Sequence, residues 1–141
     1  MPETENTETI TVIHSNDPLY TSTTDGPNTV KVDVPLSGTD NYTAWKCHME
    51  LALGTKRKAG FVTGSVKRNT TDPVLNEAWE HCNNLVKFWL INNVNNTIKS
   101  TIMYIPTAKD VWDYLHGRYS SSNGARKFQL SKSCYEAKQG T

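Results

Sequence analysis

The sequence predicts an all-α protein, a compact bundle of about five helices. Three observations lead to this prediction: apolar residues recur three and four positions apart over long segments, capping residues precede those segments, and the loops between them are short. We expect residues 30–141 to form this helical domain and residues 1–29 to form a disordered, flexible leader. One short pair of β-strands is also predicted at the start of the domain.

The leader is acidic, whereas the domain is basic. Residues 1–29 are rich in Thr, Asn, Asp, Glu and Pro, and a segment with so few apolar side chains cannot offset the entropy lost on ordering. Residues 1–40 carry seven acids and one base, and residues 41–141 carry seven acids and fourteen bases, so the net charge is only +1. The asymmetry indicates an acidic tail in front of a folded part of opposite charge.

The predicted strand pair opens the domain. Val30, Val32 and Val34 alternate with polar residues, which is the period of a β-strand, and Pro35 ends the run. We expect residues 61–66 to be the partner strand, so that the two segments form a small hairpin-like pair.

The first helix follows at once and organises the interior. Thr39 or Asp40 can cap it, because either side chain can accept a hydrogen bond from the first free N–H groups of the helix. Its apolar residues share one face, and they are Tyr42, Trp45, Met49 and Leu53. Residues 60–64 are then predicted to turn back and to press Phe61 and Val62 onto that face.

The longest helix is predicted after residue 71. Thr71 or Asp72 caps it, and Pro73 suits its first position, where a missing N–H does no harm. An apolar stripe at spacings of four and three follows, made of Leu75, Trp79, Cys82, Val86 and Trp89. The Asn-rich residues 92–96 end this helix.

Three shorter helices complete the predicted bundle. Asn95 caps a short one that ends before Pro106, since the residue before a proline is pushed out of the α region. Thr107 caps the next helix, whose buried face holds Ala108, Val111, Trp112, Leu115 and Tyr119. A final helix from about Ala125 carries Phe128, Leu130, Cys134 and Ala137.

The aromatic residues of these helices are predicted to form the core. The alternative is a platform on which the bases of single-stranded nucleic acid stack. We favour the core, because each residue lies on the apolar face of its helix and aromatic side chains dominate small cores. The predicted core residues are Tyr42, Trp45, Met49, Leu53, Phe61, Trp79, Trp89, Trp112, Leu115, Tyr119 and Phe128.

A basic stretch provides candidate contacts to nucleic acid. Its cations could neutralise phosphates. The alternative is a solvated surface, which we favour because no aromatic residues interleave with the cations. Any RNA binding is expected to be weak and salt-sensitive. The candidate residues are Lys56, Arg57, Lys58, Lys67 and Arg68.

No catalytic, metal or cofactor site is predicted. The chain has no Ser–His–Asp order, paired-carboxylate helix, phosphate-binding Gly loop or metal triad, so we expect neither an enzyme nor a small-molecule substrate. The adjacent pairs Cys47–His48 and His81–Cys82 could supply a tetrahedral zinc site. We favour no metal, since neighbouring residues of a helix point in different directions and the usual ligand spacing is missing.

The sequence contains no segment that would direct it to a membrane. No apolar run is long enough to cross a bilayer, and the N-terminus lacks the charged-then-apolar pattern of a signal peptide. We therefore expect a cytoplasmic protein, with the nucleus as the alternative, and no membrane partner.

The order of the motifs resembles a known family. The pattern Leu36-x-Gly38-x-x-Asn41-Tyr42-x-x-Trp45-x-x-x-Met49-x-x-Ala52-Leu53 is similar to the opening of the Gag polyprotein of copia-type LTR retrotransposons, particularly the plant members. The resemblance extends over about residues 16–141. Further similar pieces follow in the same order, and they are Lys58-x-Gly60-Phe61-Val62, Asp72-Pro73, Trp79-x-x-Cys82-Asn83, Ala108-Lys109-x-x-Trp112 and Arg126-x-Phe128-Gln129-Leu130.

This resemblance implies the N-terminal helical region of a capsid protein, whose copies assemble into a particle around the RNA of the element. It also implies further capsid helices after Thr141, so we expect the domain to be truncated there. The family's zinc knuckle, Cys-x-x-Cys-x-x-x-x-His-x-x-x-x-Cys, does not occur in this sequence.

The resemblance leads us to expect a homo-oligomer. Apolar residues outside the predicted core are candidates for contacts between copies, which act through multivalency. These candidates are Leu51, Val94, Met103 and Ile105. Two alternatives remain: a retained or relic adaptor that binds RNA or protein as a monomer, and an inert product whose truncated core barely folds.

Overall fold

Five helices make up the described part of the protein, which in the computed structural model comprises residues 11–120. They are α1 Tyr42–Thr55, α2 Gly60–Thr63, α3 Pro73–Ile91, α4 Asn96–Ile102 and α5 Ala108–Tyr119, and a 3₁₀ turn at Thr39–Asn41 precedes them. The prediction of a compact all-α fold is confirmed. The helix predicted from about Ala125, with Phe128, lies outside the described residues. Among residues 11–120, no helix is both long and apolar enough to span a membrane.

Three helices begin where their capping residues predict. Asp72 accepts a hydrogen bond from the N–H of Val74 at 2.9 Å, and Pro73 takes the first position of α3. Asn95 caps α4, and its Oδ1 accepts from the N–H of Ile98, the third residue of the helix, at 2.9 Å. Thr107 caps α5 and accepts from the N–H of Asp110 at 3.1 Å. These bonds satisfy donors that have no partner within the helix.

The predicted cap of α1 is wrong. Thr39 and Asp40 lie in the 3₁₀ turn, and neither caps the helix with its side chain. Asn41 occupies the capping position, but its side chain accepts from the N–H of Ser37 at 3.0 Å and donates to the carbonyl of Pro35 at 2.9 Å. The polar residues before α1 therefore hold the path of the chain into the helix. They do not bind the first N–H groups of the helix.

The predicted strand pair is also wrong, because no β-strand forms among residues 11–120. Residues 61–66 contribute instead to α2 and to the turn after it, where Gly64 adopts a left-handed conformation with φ of 88°. An isolated parallel bridge joins Leu36 to Val94. The three alternating valines are not buried alike, since Val30 is 4% exposed, Val32 is partly buried and Val34 is 63% exposed.

Asn93 takes the place of the missing strand partner. This residue follows α3 and is only 2% exposed. Its side-chain amide donates to the carbonyls of Val30 and Trp89 at 2.9 and 2.7 Å. Its Oδ1 accepts from the N–H of Val32 at 2.9 Å. One side chain thus supplies the hydrogen bonds that a neighbouring strand would have provided to residues 30–32.

The main chain of Asn93 extends the same network to α1. Its carbonyl accepts from the indole N–H of Trp45 at 2.7 Å and from the N–H of Leu36 at 3.0 Å. The carbonyl of Leu36 in turn accepts from the N–H of Asn95 at 2.9 Å. The segment before α1, the indole on α1 and the start of α4 therefore meet at the end of α3.

A single apolar core lies beneath these helices. The ring centroids of Trp45 and Trp112 are 5.8 Å apart, and those of Phe61 and Trp79 are 5.9 Å apart. Tyr119 is only partly buried. The other predicted core residues in the described part of the chain are buried, and they are Tyr42, Trp45, Met49, Leu53, Phe61, Trp79, Trp89, Trp112 and Leu115.

A second buried amide fastens α5 to α3. Asn83 is 3% exposed and accepts from the N–H of Ala108 at 2.8 Å, while its Nδ2 donates to the carbonyl of Pro106 at 3.3 Å. Its hydrogen bonds hold the start of α5 at the middle of α3. Among the described residues, every buried side-chain nitrogen and oxygen has a hydrogen-bond partner.

Asn93→Ala should destabilise the protein by about 2–4 kcal/mol, because buried carbonyl and N–H groups would lose their partners. Urea denaturation followed by circular dichroism measures this free energy. Asn92→Ala is the matched control, since its side chain lies at the surface and donates to the carbonyl of Pro27. Equal losses for the two variants would contradict the central role of Asn93.

Tyr42→Phe should change how stability depends on pH. Burial, followed by the charges of Glu50 and Asp113, raises the pKa of Tyr42 above its ordinary value. Above about pH 10 the tyrosine ionises in the unfolded chain while it stays protonated in the folded one, so the stability of the parent falls. At neutral pH the variant should lose about 0.5–1.5 kcal/mol with the bond from Tyr42 to His116.

Above pH 10 the deficit of the Tyr42→Phe variant should shrink by about 1.4 kcal/mol per pH unit. Urea denaturation at pH 8 and pH 11 measures the difference. Tyr104→Phe is the control, because Tyr104 is 84% exposed and its substitution should change the free energy of unfolding little. A deficit for Tyr42→Phe that is the same at both pH values would contradict the prediction.

Candidate functional site

Lys58, one of the five predicted nucleic-acid contacts, is an interior residue. It is 2% exposed, and its Nζ donates to the carbonyl of Tyr20 at 2.6 Å and to that of Lys56 at 3.4 Å. Burial lowers the pKa of Lys58, although the neighbouring Cys82 and Asp25 oppose the shift. The side chain of Lys58 therefore binds main-chain carbonyls of the same protein, and it presents no charge to an external phosphate.

Two other members of the basic stretch are engaged with carboxylates. The Nζ of Lys56 lies 3.0 Å from the carboxylate of Asp25. Arg68 pairs with Glu80, and its guanidinium lies over the ring of Trp79 at 4.4 Å from the centroid. Such contacts occupy the charged groups in the folded chain, so phosphate would have to compete for them.

Arg57 and Lys67 are the more accessible members of the stretch. Both are exposed, and Lys67 donates to the carbonyl of Gly64 at 3.0 Å. Arg57 has a positive φ of 59°, which places it in the left-handed turn between α1 and α2. The five predicted cations therefore differ in role, and the structure does not present them together as one exposed phosphate-binding surface.

An apolar groove lies on the outer face of the bundle, between the second half of α3 and the end of α4. Its cavity volume is about 410 Å³, and its lining is mainly apolar. Phe88 is 48% exposed there and Met103 is 44% exposed. The residues that line this apolar groove are Asn84, Lys87, Phe88, Ile91 and Met103.

The amphipathic pattern of α3 explains why Phe88 is exposed. The core stripe of α3 includes Trp79, Cys82, Val86 and Trp89, and at 3.6 residues per turn Phe88 falls on the opposite face. Sequence reasoning missed Phe88, although an aromatic residue on the polar face of an amphipathic helix was a readable signal. Met103 follows the last residue of α4, where the chain leaves the helix.

The four apolar residues predicted to mediate contacts between copies have different environments. Leu51 and Met103 are 43% and 44% exposed. Ile105 is partly buried against the core. Val94 is 5% exposed and belongs to the core, so it cannot contact a second copy. Its bridge to Leu36 explains that burial.

Residues 17–30, which we name the strap, lie along α3. Leu19 and Tyr20 contact Cys82 and Lys58, and Gly26 and later residues contact the end of α3. The composition of the leader gave no sign of this contact, because the strap is held mainly through its main-chain carbonyls. The predicted domain boundary between residues 29 and 30 stays a prediction.

The cysteine and histidine pairs show no metal-site geometry. Cys82 is fully buried, burial raises the pKa of its thiol, and His81 is exposed. Within residues 11–120, no group of three or more His, Cys, Asp or Glu side chains could hold a metal ion. In the described part of the chain, the structural features that remain are the apolar groove and the strap.

Comparison with known proteins identifies one family. No curated protein and no solved structure matches the chain. The matching segment begins within the strap and includes α1, α2 and the basic stretch. Residues 23–68 match the family described as Gag-polypeptide of LTR copia-type, which confirms the resemblance over that segment.

Proposed function

We propose that this protein is a non-enzymatic capsid lobe of a copia-type Gag polyprotein, and that its copies associate in the cytoplasm into a particle around the RNA of the element. The family match over residues 23–68 supports a Gag-related role. The apolar groove supports self-association, and it is the observation on which this proposal rests.

The groove has the character of a contact surface. Phe88 and Met103 together expose apolar area to water, and burying such area against another molecule is favourable by roughly 25 cal/mol per Å². Lys87 and Asn84 add polar groups to its lining, so an apolar centre with polar surroundings results, as in ordinary protein interfaces. A contact surface as small as this apolar groove gives a weak contact. Weak contacts are what a shell needs, because many of them act together.

Phe88→Lys should weaken the self-association of the purified chain at least tenfold, because a charge would have to be desolvated in each contact. Sedimentation velocity across a concentration series measures the association, and circular dichroism checks the fold. Val74→Lys is the matched control, since Val74 lies on the same helix, outside the apolar groove, and is 50% exposed.

Two outcomes would overturn this function. The first is a parent chain that stays monomeric at every concentration and forms no particles by electron microscopy. The second is an equal loss of association for Phe88→Lys and Val74→Lys. A monomer that nevertheless shifts the mobility of RNA would favour the alternative, a monomeric RNA-binding adaptor.

The RNA contact in this proposal rests on Arg57 and Lys67, because these are the exposed members of the basic stretch that are not described in ion pairs. Contact with about two phosphates predicts a slope of about −1.4 when the logarithm of affinity for single-stranded RNA is plotted against that of salt concentration. Filter binding between 50 and 300 mM salt measures this slope. Affinity that does not change with salt, or that survives Arg57→Ala with Lys67→Ala, would contradict it.

A further inference from the structure

The strap is held by a row of side-chain donors that bind its main chain. The indole of Trp89 donates to the carbonyl of Gly26 at 2.7 Å, and the Nδ2 of Asn92 donates to that of Pro27 at 2.9 Å. Among residues 11–120, the side chains outside the strap that donate to its main-chain carbonyls, which we name the strap cleft, are Lys58, Cys82, Trp89, Asn92 and Asn93. Their acceptors are the carbonyls of Pro18, Leu19, Tyr20, Gly26, Pro27 and Val30.

This pattern is that of a peptide bound in a cleft. Strap residue numbers and α3 residue numbers rise together, so the strap runs in the direction of the helix. The cleft contacts carbonyls, which every residue has, and few strap side chains enter the core; Val30 is 4% exposed and Leu19 is partly buried. Main-chain recognition with one or two side-chain anchors is how proteins bind extended segments.

The segment that connects the strap to the bundle is short and exposed. Residues 31 and 33–35 are exposed, and Leu36 is the next fully buried residue. Five residues span at most about 18 Å when extended. The N–H of Val32 donates to Asn93 at 2.9 Å, and the carbonyl of Pro35 accepts from Asn41 at 2.9 Å. Changing the path of residues 31–35 would therefore break few contacts, while the strap and the strap cleft could keep all of theirs.

We propose that two copies of this chain exchange their straps, so that the strap cleft of one copy binds residues 17–30 of the other. Each strap would make the same contacts in either copy, and only the path of residues 31–35 would differ, which is the condition under which such exchange costs little. The ion pair between Asp25 and Lys56 would then join two molecules.

This exchange does not depend on the apolar groove. None of the side chains in the strap cleft lines that groove. A second cavity of about 410 Å³ lies beside the strap, between residues 13–21 and the first half of α3, and its lining shares no residue with the apolar groove. Exchange and groove contact can therefore be tested apart.

A disulfide trap detects the exchange. The Oγ1 of Thr21 lies 3.4 Å from the Sγ of Cys82, so Thr21→Cys would place a second thiol beside a free one. The variant is made with Cys47→Ser and Cys134→Ser, to exclude other pairings. Two differently tagged preparations of the full chain are mixed, incubated at high concentration, oxidised with oxidised glutathione and separated without reductant.

Exchange predicts a covalent dimer that carries both tags, in an amount that rises with protein concentration. Deleting residues 33 and 34 shortens the connection and should raise the dimer fraction at least fivefold, because a strained hinge favours exchange. The dimer should persist with Phe88→Lys, which tests the groove separately. Adding Cys82→Ser should abolish it and serves as the control for unspecific oxidation.

Two results would overturn the exchange. One is a disulfide that forms only within single chains at every concentration, also after residues 33 and 34 are deleted. The other is the absence of any disulfide in a variant whose circular dichroism matches the parent, because the strap would then not lie at Cys82. A mixed dimer that is lost with Cys82→Ser supports the proposal.

Discussion

The position of Asn93 is the constraint on which the rest of the fold depends. A buried amide stabilises a structure only when its donors and its acceptor all have partners. The partners of Asn93 come from the strap, from α1 and from α3 itself. The end of α3 must therefore lie where these three parts of the chain meet, and the paths of the strap and of α1 follow from that point. The core then fills the space beneath.

Local signals accounted for the helices and failed for the segments between them. Capping side chains at residues 72, 95 and 107 act over two or three residues, so the sequence alone is enough to find the starts of α3, α4 and α5. The valines at residues 30–34 have the period of a strand, yet the main-chain groups of Val30 and Val32 bond to an asparagine some sixty residues away. The periodicity did not report burial, since Val34 is 63% exposed, and it did not report which group binds the main chain.

The candidate sites also divide into features that local sequence signals indicate and features that only the fold reveals. Charge alone suggested a phosphate-binding surface that included Lys58, but only the fold reveals that Lys58 is buried under Tyr20. The apolar groove could have been found in part, since Phe88 breaks the polar face of a regular helix. The strap could not have been found from composition, because its carbonyls are present in every sequence. Its partners on α3 had already been assigned to the core as apolar or small side chains.

The indole N–H groups of three core tryptophans each end on a carbonyl outside the helices. Trp45 donates to Asn93, Trp79 to Val66 and Trp89 to Gly26. Each of these indole rings therefore fills volume in the core, and its N–H also holds a segment outside the helices. A phenylalanine at any of these positions would fill a similar volume and would lose the hydrogen bond from the ring to the carbonyl. Tryptophan at these positions therefore meets a requirement of polarity as well as of size.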